Sequence, residues 1–405
     1  MPRQPDFFHL SYRVFSPGFR TLFFSKILHA SGIQLTLLFL PLYLFQIGSD
    51  WNIFQSFSLT PFQQGMLIVG GYFLIQRCWV LLWSVPASQI ISFIGVRNGM
   101  IVGQLLNICT LVFFVLSEKT PQLLFFTALI EGLKICFFWN SYFSLFSTTA
   151  VYKNMGASVG TFEFFTKLIH VILPTISAFL ILRFGFSAVF YVSICLHLCS
   201  AIVLLRLHNP LDFAPVSWSE FRKWLGEREF QVFAIAGAGK YFVDALQLLW
   251  PFFVFLLVGS IEKVGFLYSL VLFLTLIITY FSGWFIDHSK SRRPFTILGS
   301  VLSLLWISRM FISSIWSIVM IDTFDKLASS FYVPFYESIF LRRGKGRHAL
   351  SYFTYREVIL SVVAILFWSV YCVYFLYFES WRGFLLFGFI GMLASLQMRD
   401  RQKRL

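Results

Sequence analysis

Apolar runs of roughly the length needed to cross a bilayer alternate with short polar stretches along almost the whole chain. At about 20 residues per crossing, this rhythm predicts about twelve membrane helices. The first six lie near Leu22–Ile47, Gln64–Ile90, Gly99–Leu116, Leu123–Phe146, Ser158–Leu182 and Ser187–Leu205. The second six lie near Val232–Val258, Val264–Ile286, Phe295–Ile312, Ile315–Leu341, Ala349–Leu376 and Gly383–Met398. Between the two sets the pattern changes. Pro210 and Pro215 interrupt it, and Ser217-Trp218-Ser219-Glu220 fits a capping box opening a short amphipathic helix. Trp218, Phe221, Trp224 and Leu225 share its apolar face. Residues 1–206 and 231–405 are thus expected to form two six-helix bundles, joined by a linker over 207–230.

Composition supports a membrane protein. Apolar residues make up 58% of the chain and charged ones only 12%, about half the charged share of a soluble domain. The formal charge of +14 suggests nucleic acid only until its distribution is considered. Lys and Arg gather in the N-terminus, the loops after even-numbered spans and the C-terminus, while the opposite side holds Lys119, Arg183, Lys263 and Arg382. This asymmetry predicts both termini in the cytoplasm of a cell-membrane protein and no nucleic-acid partner. All six cysteines fall inside predicted spans without a Cys-x-x-Cys pair, so neither a metal nor a redox site is expected. Met1 to Arg20 lacks the apolar core of a cleavable signal peptide.

Some apolar runs contain ionisable residues at mid-depth. Asp322, Asp325 and Lys326 interrupt the tenth span, and Glu131 and Lys134 the fourth. Charges there cost several kcal/mol unless they face water or each other. The two interruptions are related: Asp325 lies 194 positions after Glu131, and that offset also links Tyr142 to Tyr336, Ser144 to Ser338 and Glu163 to Glu357. An internal repeat of this kind, with a site at mid-membrane between its halves, is a transporter architecture. The predicted fold is therefore all-α, about twelve membrane helices in two pseudo-symmetric bundles.

Spans one, four, seven and ten carry His29 and Gln34, Glu131 and Lys134, Lys240, Asp244 and Gln247, and Asp322, Asp325 and Lys326. Arg77 adds a cation at mid-depth in span two. Concentrated polar groups on symmetry-related helices fit a hydrated central cavity. Glu131/Lys134, Glu163/Lys167 and Lys240/Asp244 are spaced three or four apart, so each pair either neutralises itself on one helix face or competes for a proton. Lys326 is turned about 100° from Asp325, which leaves Asp325 needing a proton, a partner from another helix or a substrate. Asp325 and Glu131 are the first expected proton carriers, then Asp244; Asp322, one turn from Asp325, is placed to share its proton. His29 serves either as a relay or, more commonly for a lone histidine, as a hydrogen-bonded packing residue. Pro174 and Pro251 are expected to mark helix kinks.

The loop Gly283-Trp284-Phe285-Ile286-Asp287-His288-Ser289-Lys290-Ser291-Arg292-Arg293 resembles the signature loop of the major facilitator superfamily, and the entries Gly185-Phe186-Ser187 and Trp381-Arg382-Gly383 are similar to its sixth and twelfth helices. The equivalent loop after span two has Ile91 in place of the signature Asp and keeps only Arg97. The resemblance implies that Asp287, Arg292 and Arg293 latch one conformational state; Glu163 and Glu357, each with a basic neighbour on its own helix, are expected to serve gating rather than proton transfer. The resemblance also implies a monomeric secondary active transporter of a small organic solute, working by alternating access with protons. A lipid flippase or scramblase, or a transporter-like sensor, uses the same fold. No nucleotide loop, metal-ligand pair or nucleophile triad points to an enzyme or a cofactor.

Overall fold

The computed structural model describes residues 17–51, 59–149, 155–209, 213–288, 293–344 and 346–398, where all regular structure is helical. The first half comprises α1 (Pro17–Leu37), α2 (Leu40–Asp50), α3 (Pro61–Ile94), α4 (Val96–Ser117), α5 (Leu123–Thr149), α6 (Met155–His170), α7 (Leu173–Phe184) and α8 (Phe186–Leu204). After the short α9 (Trp218–Leu225) come α10 (Arg228–Val258), α11 (Ile261–His288), α12 (Arg293–Ser308), α13 (Ile315–Arg343), α14 (Ala349–Tyr377) and α15 (Leu386–Ser395). Among the described residues, nine helical stretches are long and apolar enough to cross a membrane, and Gly383–Ser395 is a shorter apolar helix. At 28 and 29 residues, α11 and α13 also exceed the ~30 Å hydrocarbon core, since each residue adds about 1.5 Å.

Local chemistry sets the helix boundaries. Thr60 with Gln63 opens α3 and Ser314 with Ser317 opens α13, each as a reciprocal capping box. The fifth crossing breaks between His170 and Leu173, and Pro174 sits in the first turn of the restart, where its missing N–H costs nothing. Pro251 marks no such break, because α10 continues through it from Arg228 to Val258. Phe93, Phe311, Trp316 and Tyr377 stand out from the helices near their ends, where lipid and its headgroup region would cover them.

Two seams join the halves. Along one, α3 packs against α14; along the other, α6 and α7 pack against α11. Small residues allow the approach: a Cβ on Gly70 would lie 2.6 Å from Tyr371, and one on Gly265 would lie 2.7 Å from the Pro174 carbonyl. Aromatic contacts also join the halves on both sides. Phe45 meets Phe252 at 5.0 Å on one side. On the side carrying the basic helix ends, Phe143 meets Phe340 at 5.0 Å and Phe353 at 5.6 Å.

The amphipathic helix predicted near Ser217 is α9, whose N-terminus is capped by the Ser217 hydroxyl accepting from Glu220 N–H. Phe221 and Trp224 pack on Tyr355, as the pattern predicts, whereas Trp218 and Leu225 remain exposed at its rim. The segment before it touches both halves. Gln89 Nε2 donates to the Val216 carbonyl, Ala214 N–H donates to the Arg347 carbonyl, and Tyr355 Oη donates to the Ser217 carbonyl.

Candidate functional site

A cavity of about 360 Å³ lies between the halves near mid-membrane. From the first half, Gln34, Glu163, Lys167 and His170 reach it; from the second, Asp244, Gln247, Lys326 and Ser329. Leu37, Leu248 and Leu272 supply apolar wall. Lys167 Nζ crosses the seam to donate to Ser330 Oγ on α13 at 2.9 Å. Deeper towards the basic side, Glu337 on α13 lies within electrostatic reach of Glu163, Lys240, Asp244 and Lys26. Lys26 is buried in an aromatic cage, its ammonium 4.0 Å from the Trp139 ring centroid and 4.7 Å from that of Tyr142.

Of the residues expected at the cavity, Gln34, Asp244, Gln247 and Lys326 line it, as does the expected gating residue Glu163. Asp244 is engaged by Lys240 one turn before it on α10. Glu131 pairs with Lys134 at 3.1 Å and accepts from Tyr72 Oη, a cluster within the first half. Arg77 crosses to the other half and pairs with Glu357 at 2.8 Å, its guanidinium lying over the Tyr241 ring. That ion pair bridges the α3–α14 seam. Asp287 lies near the end of α11, where its side chain falls outside the described residues, as does Arg292; Arg293 begins α12 at an exposed position.

His29 takes the packing alternative. Its Nδ1 and that of His197 both lie within hydrogen-bond distance of Gln104 Oε1, at 3.2 and 2.9 Å, and its ring stacks on Phe138. This node holds α1, α4 and α8 together away from the cavity.

Asp325 and Asp322 also sit off the cavity lining. Arg309, just past the end of α12, places Nη2 2.9 Å from Asp322 Oδ1 and 3.5 Å from Asp325 Oδ2. Trp250 Nε1 donates to both Asp322 oxygens, and the guanidinium lies between the Trp250 and Trp306 rings. All three charged side chains are buried. The partner that Asp325 needs is therefore Arg309 from another helix, with Lys326 Nζ farther off at 3.9 Å. One guanidinium thus faces two buried carboxylates, and Asp325 is held by ion pairs with no hydrogen bond to either of its oxygens.

The sequence reading did not mark Lys26, His170, Arg309, Ser329 or Glu337 as site residues, and it considered Lys167 only as the partner of Glu163. The cavity side of α13 runs through Lys326, Ser329 and Val333, and one more four-residue step reaches Glu337. That spacing marks one helix face and is visible in the sequence once Lys326 rather than Asp325 is taken as its start.

A profile of the Major Facilitator Superfamily matches residues 22–324. The chain belongs to the major facilitator superfamily. Solved structures with the same fold include the human organic anion transporter MFSD10 (TETRAN), 12% identical with a TM-score of 0.66, over 92% of this chain and 98% of that one. The E. coli fucose:proton symporter FucP is 13% identical with a TM-score of 0.63, over 93% and 96%. FucP in an outward conformation gives 12% and 0.64 over the same shares. No curated protein matches this chain in sequence. It is a multi-pass membrane protein with an all-α fold of two helical bundles, as the repeat in its sequence predicts.

Proposed function

We propose that this superfamily member is a secondary active transporter that carries a small organic solute through the central cavity by alternating access, with a proton as coupling ion. One observation carries the reading: the cavity's charged groups come from both halves, and two carboxylates from opposite halves, Glu163 and Glu337, lie within electrostatic reach of one another. A proton on either acid removes their repulsion and lets the halves stay together on that side. Loss of the proton to the other compartment restores the repulsion. Solute and proton are then coupled because both act on the contact between the same two helices, α6 and α13.

Asp325 and Glu131 are less suited to this role, since neither lines the cavity and each is ion-paired inside its own half. In the same reading, residues 1–206 and 231–405 move as two bodies, the segment 207–230 straps them, and the basic side faces the cytoplasm. Arg77 and Glu357 form a contact that must break or slide when the α3–α14 seam opens. The organic anion and fucose:proton transporters of the same fold are in keeping with a small-solute cargo.

Reconstitution in proteoliposomes with an imposed pH gradient tests the proposal. Wild-type protein should accumulate its solute above equilibrium, whereas Glu163→Gln or Glu337→Gln should permit exchange without accumulation. Full gradient-driven accumulation in both variants would refute the coupling. Translocation of labelled phospholipid without any gradient would replace the solute reading with lipid transport.

A further inference from the structure

We infer that the solute is an uncharged, hydroxyl-rich molecule of carbohydrate type, held by hydrogen bonds to Thr166, His170 and Tyr268. The inference rests on the proposed transport through this cavity and names its substrate class. The charges in and around the cavity balance one another. Among the described residues, Lys26, Lys167 and Lys240 face Glu163, Asp244 and Glu337. Lys326 belongs to the neighbouring node, where it and Arg309 face Asp322 and Asp325. A charged group entering among these pairs gives up its hydration and finds no spare counter-charge in return. A neutral solute carries no such penalty.

What the lining leaves unpaired is neutral. Thr166 Oγ1, His170 Nε2 and Tyr268 Oη are buried atoms of cavity-lining residues and have no hydrogen-bond partner. Thr166 and Tyr268 are only 8% and 6% exposed, and buried polar groups are seldom left in that condition. Thr166 and His170 lie one turn apart on α6 and share a face. Tyr268 reaches the cavity from α11, which packs against α6; it stands on the side of the Arg309 node but bonds none of its charges. The His170 ring is hydrogen-bonded to the Ala30 backbone. The Ala30 N–H is committed within α1, so a ring N–H donates to its carbonyl and Nε2 is left a bare acceptor. A solute facing His170 must therefore donate, while the Thr166 and Tyr268 hydroxyls both donate and accept. Solute hydroxyls meet all three demands, and several on one small carbon frame meet them together. Gln34 and Gln247 add amides for further hydroxyls, and Leu37, Leu248 and Leu272 cover the C–H faces. At about 360 Å³ the cavity is at the small end of ligand sites, in keeping with a single sugar or polyol. Such a solute ties α6 of the first half to α11 of the second.

Scintillation-proximity binding to the purified full chain in detergent tests the assignment, with tritiated glucose, galactose, mannitol and myo-inositol as probes. At least one should bind saturably. Gluconate as anion, N-methylglucamine as cation and hexanediol as a hydroxyl-poor chain should compete at least about 10-fold more weakly than that unlabelled probe. Thr166→Val and Tyr268→Phe each remove one hydroxyl at nearly constant volume. Each should weaken binding roughly 2- to 10-fold. Neither should lower the thermal unfolding midpoint of the unliganded protein, since no internal hydrogen bond is lost. His170→Phe should also weaken binding, and His170→Gln, which restores an acceptor, should recover part of it. The assignment fails if none of the four probes binds, or if gluconate or N-methylglucamine competes as well as the neutral probe. It also fails if the double variant Thr166→Val/Tyr268→Phe binds normally. A lower unfolding midpoint in either single variant would show that hydroxyl to be bonded within the protein and would overturn its role. Binding is read here without a gradient, so its failure leaves the accumulation test standing. Lost accumulation with intact binding does the converse.

Discussion

At the scale of single residues, the strongest commitment in the protein is the Arg309–Asp322–Asp325 node. All three groups are almost wholly withdrawn from solvent, and Trp250 supplies further hydrogen bonds to Asp322. Removing one partner strands the others. Arg309→Met should lower folding stability by about 3–5 kcal/mol, the usual cost of leaving buried charges uncompensated. Asp325→Asn added to that variant should recover part of the loss, and thermal unfolding in detergent measures both. An Arg309→Met protein as stable as wild type would show the node to be dispensable. The sequence marks Asp322 and Asp325 as anomalous in an apolar run, and that reading survives. Their partner is not visible there, because Arg309 sits beyond a helix end and meets them only through tertiary packing. Helical geometry does separate Lys326 from Asp325, but it does not say which of the two faces the cavity. Apolar residues occur all around α13, since lipid and bundle core are equally apolar, so no hydrophobic face orients it.

At the scale of helices, the repeat is the most legible feature of the chain. Glu131 and Asp325 occupy matching positions on α5 and α13, yet each half neutralises its acid differently: Lys134 on the same helix in one, Arg309 from a neighbour in the other. Position is inherited by the repeat, whereas partnership depends on what the adjoining helix brings. Proline is read with mixed success for a related reason. Pro174 coincides with a break and Pro251 does not, because the cost of proline inside a helix depends on whether packing holds the flanking turns together. Close helix contacts are set by glycine. Gly239 on α10 touches α15, and a Cβ there would lie 2.4 Å from the Gly391 carbonyl oxygen and 2.6 Å from Ser395 N. These are backbone atoms, which cannot swing aside. Gly239→Leu should therefore cost at least about 1–3 kcal/mol of stability through overpacking. Gly71→Leu, at a position with no neighbouring atom within 4 Å, should cost far less. Equal unfolding midpoints for the two variants would contradict the close α10–α15 contact.

For the whole molecule, the arrangement of closures decides what the cavity can reach. Phe45–Phe252 joins the halves on one side, and the Phe143–Phe340–Phe353 cluster joins them on the basic side. Alternating access through the cavity requires these contacts to open one at a time. Ser329 lines the cavity and can report on this. With the native cysteines replaced by serine, Ser329→Cys should react slowly with a membrane-impermeant maleimide from either side. Phe143→Ala with Phe340→Ala should raise labelling from the basic side. An aromatic pair is worth about 0.5–1.5 kcal/mol beyond its buried area, so the rise should be roughly 2- to 10-fold. Phe45→Ala with Phe252→Ala should raise labelling from the opposite side by a similar factor. Oriented vesicles, right-side-out and inverted, separate the two. Each pair of substitutions should act on its own side alone, because weakening one closure leaves the other's packing intact. A rise in labelling from both sides in either variant would contradict two independent closures, which alternating access requires.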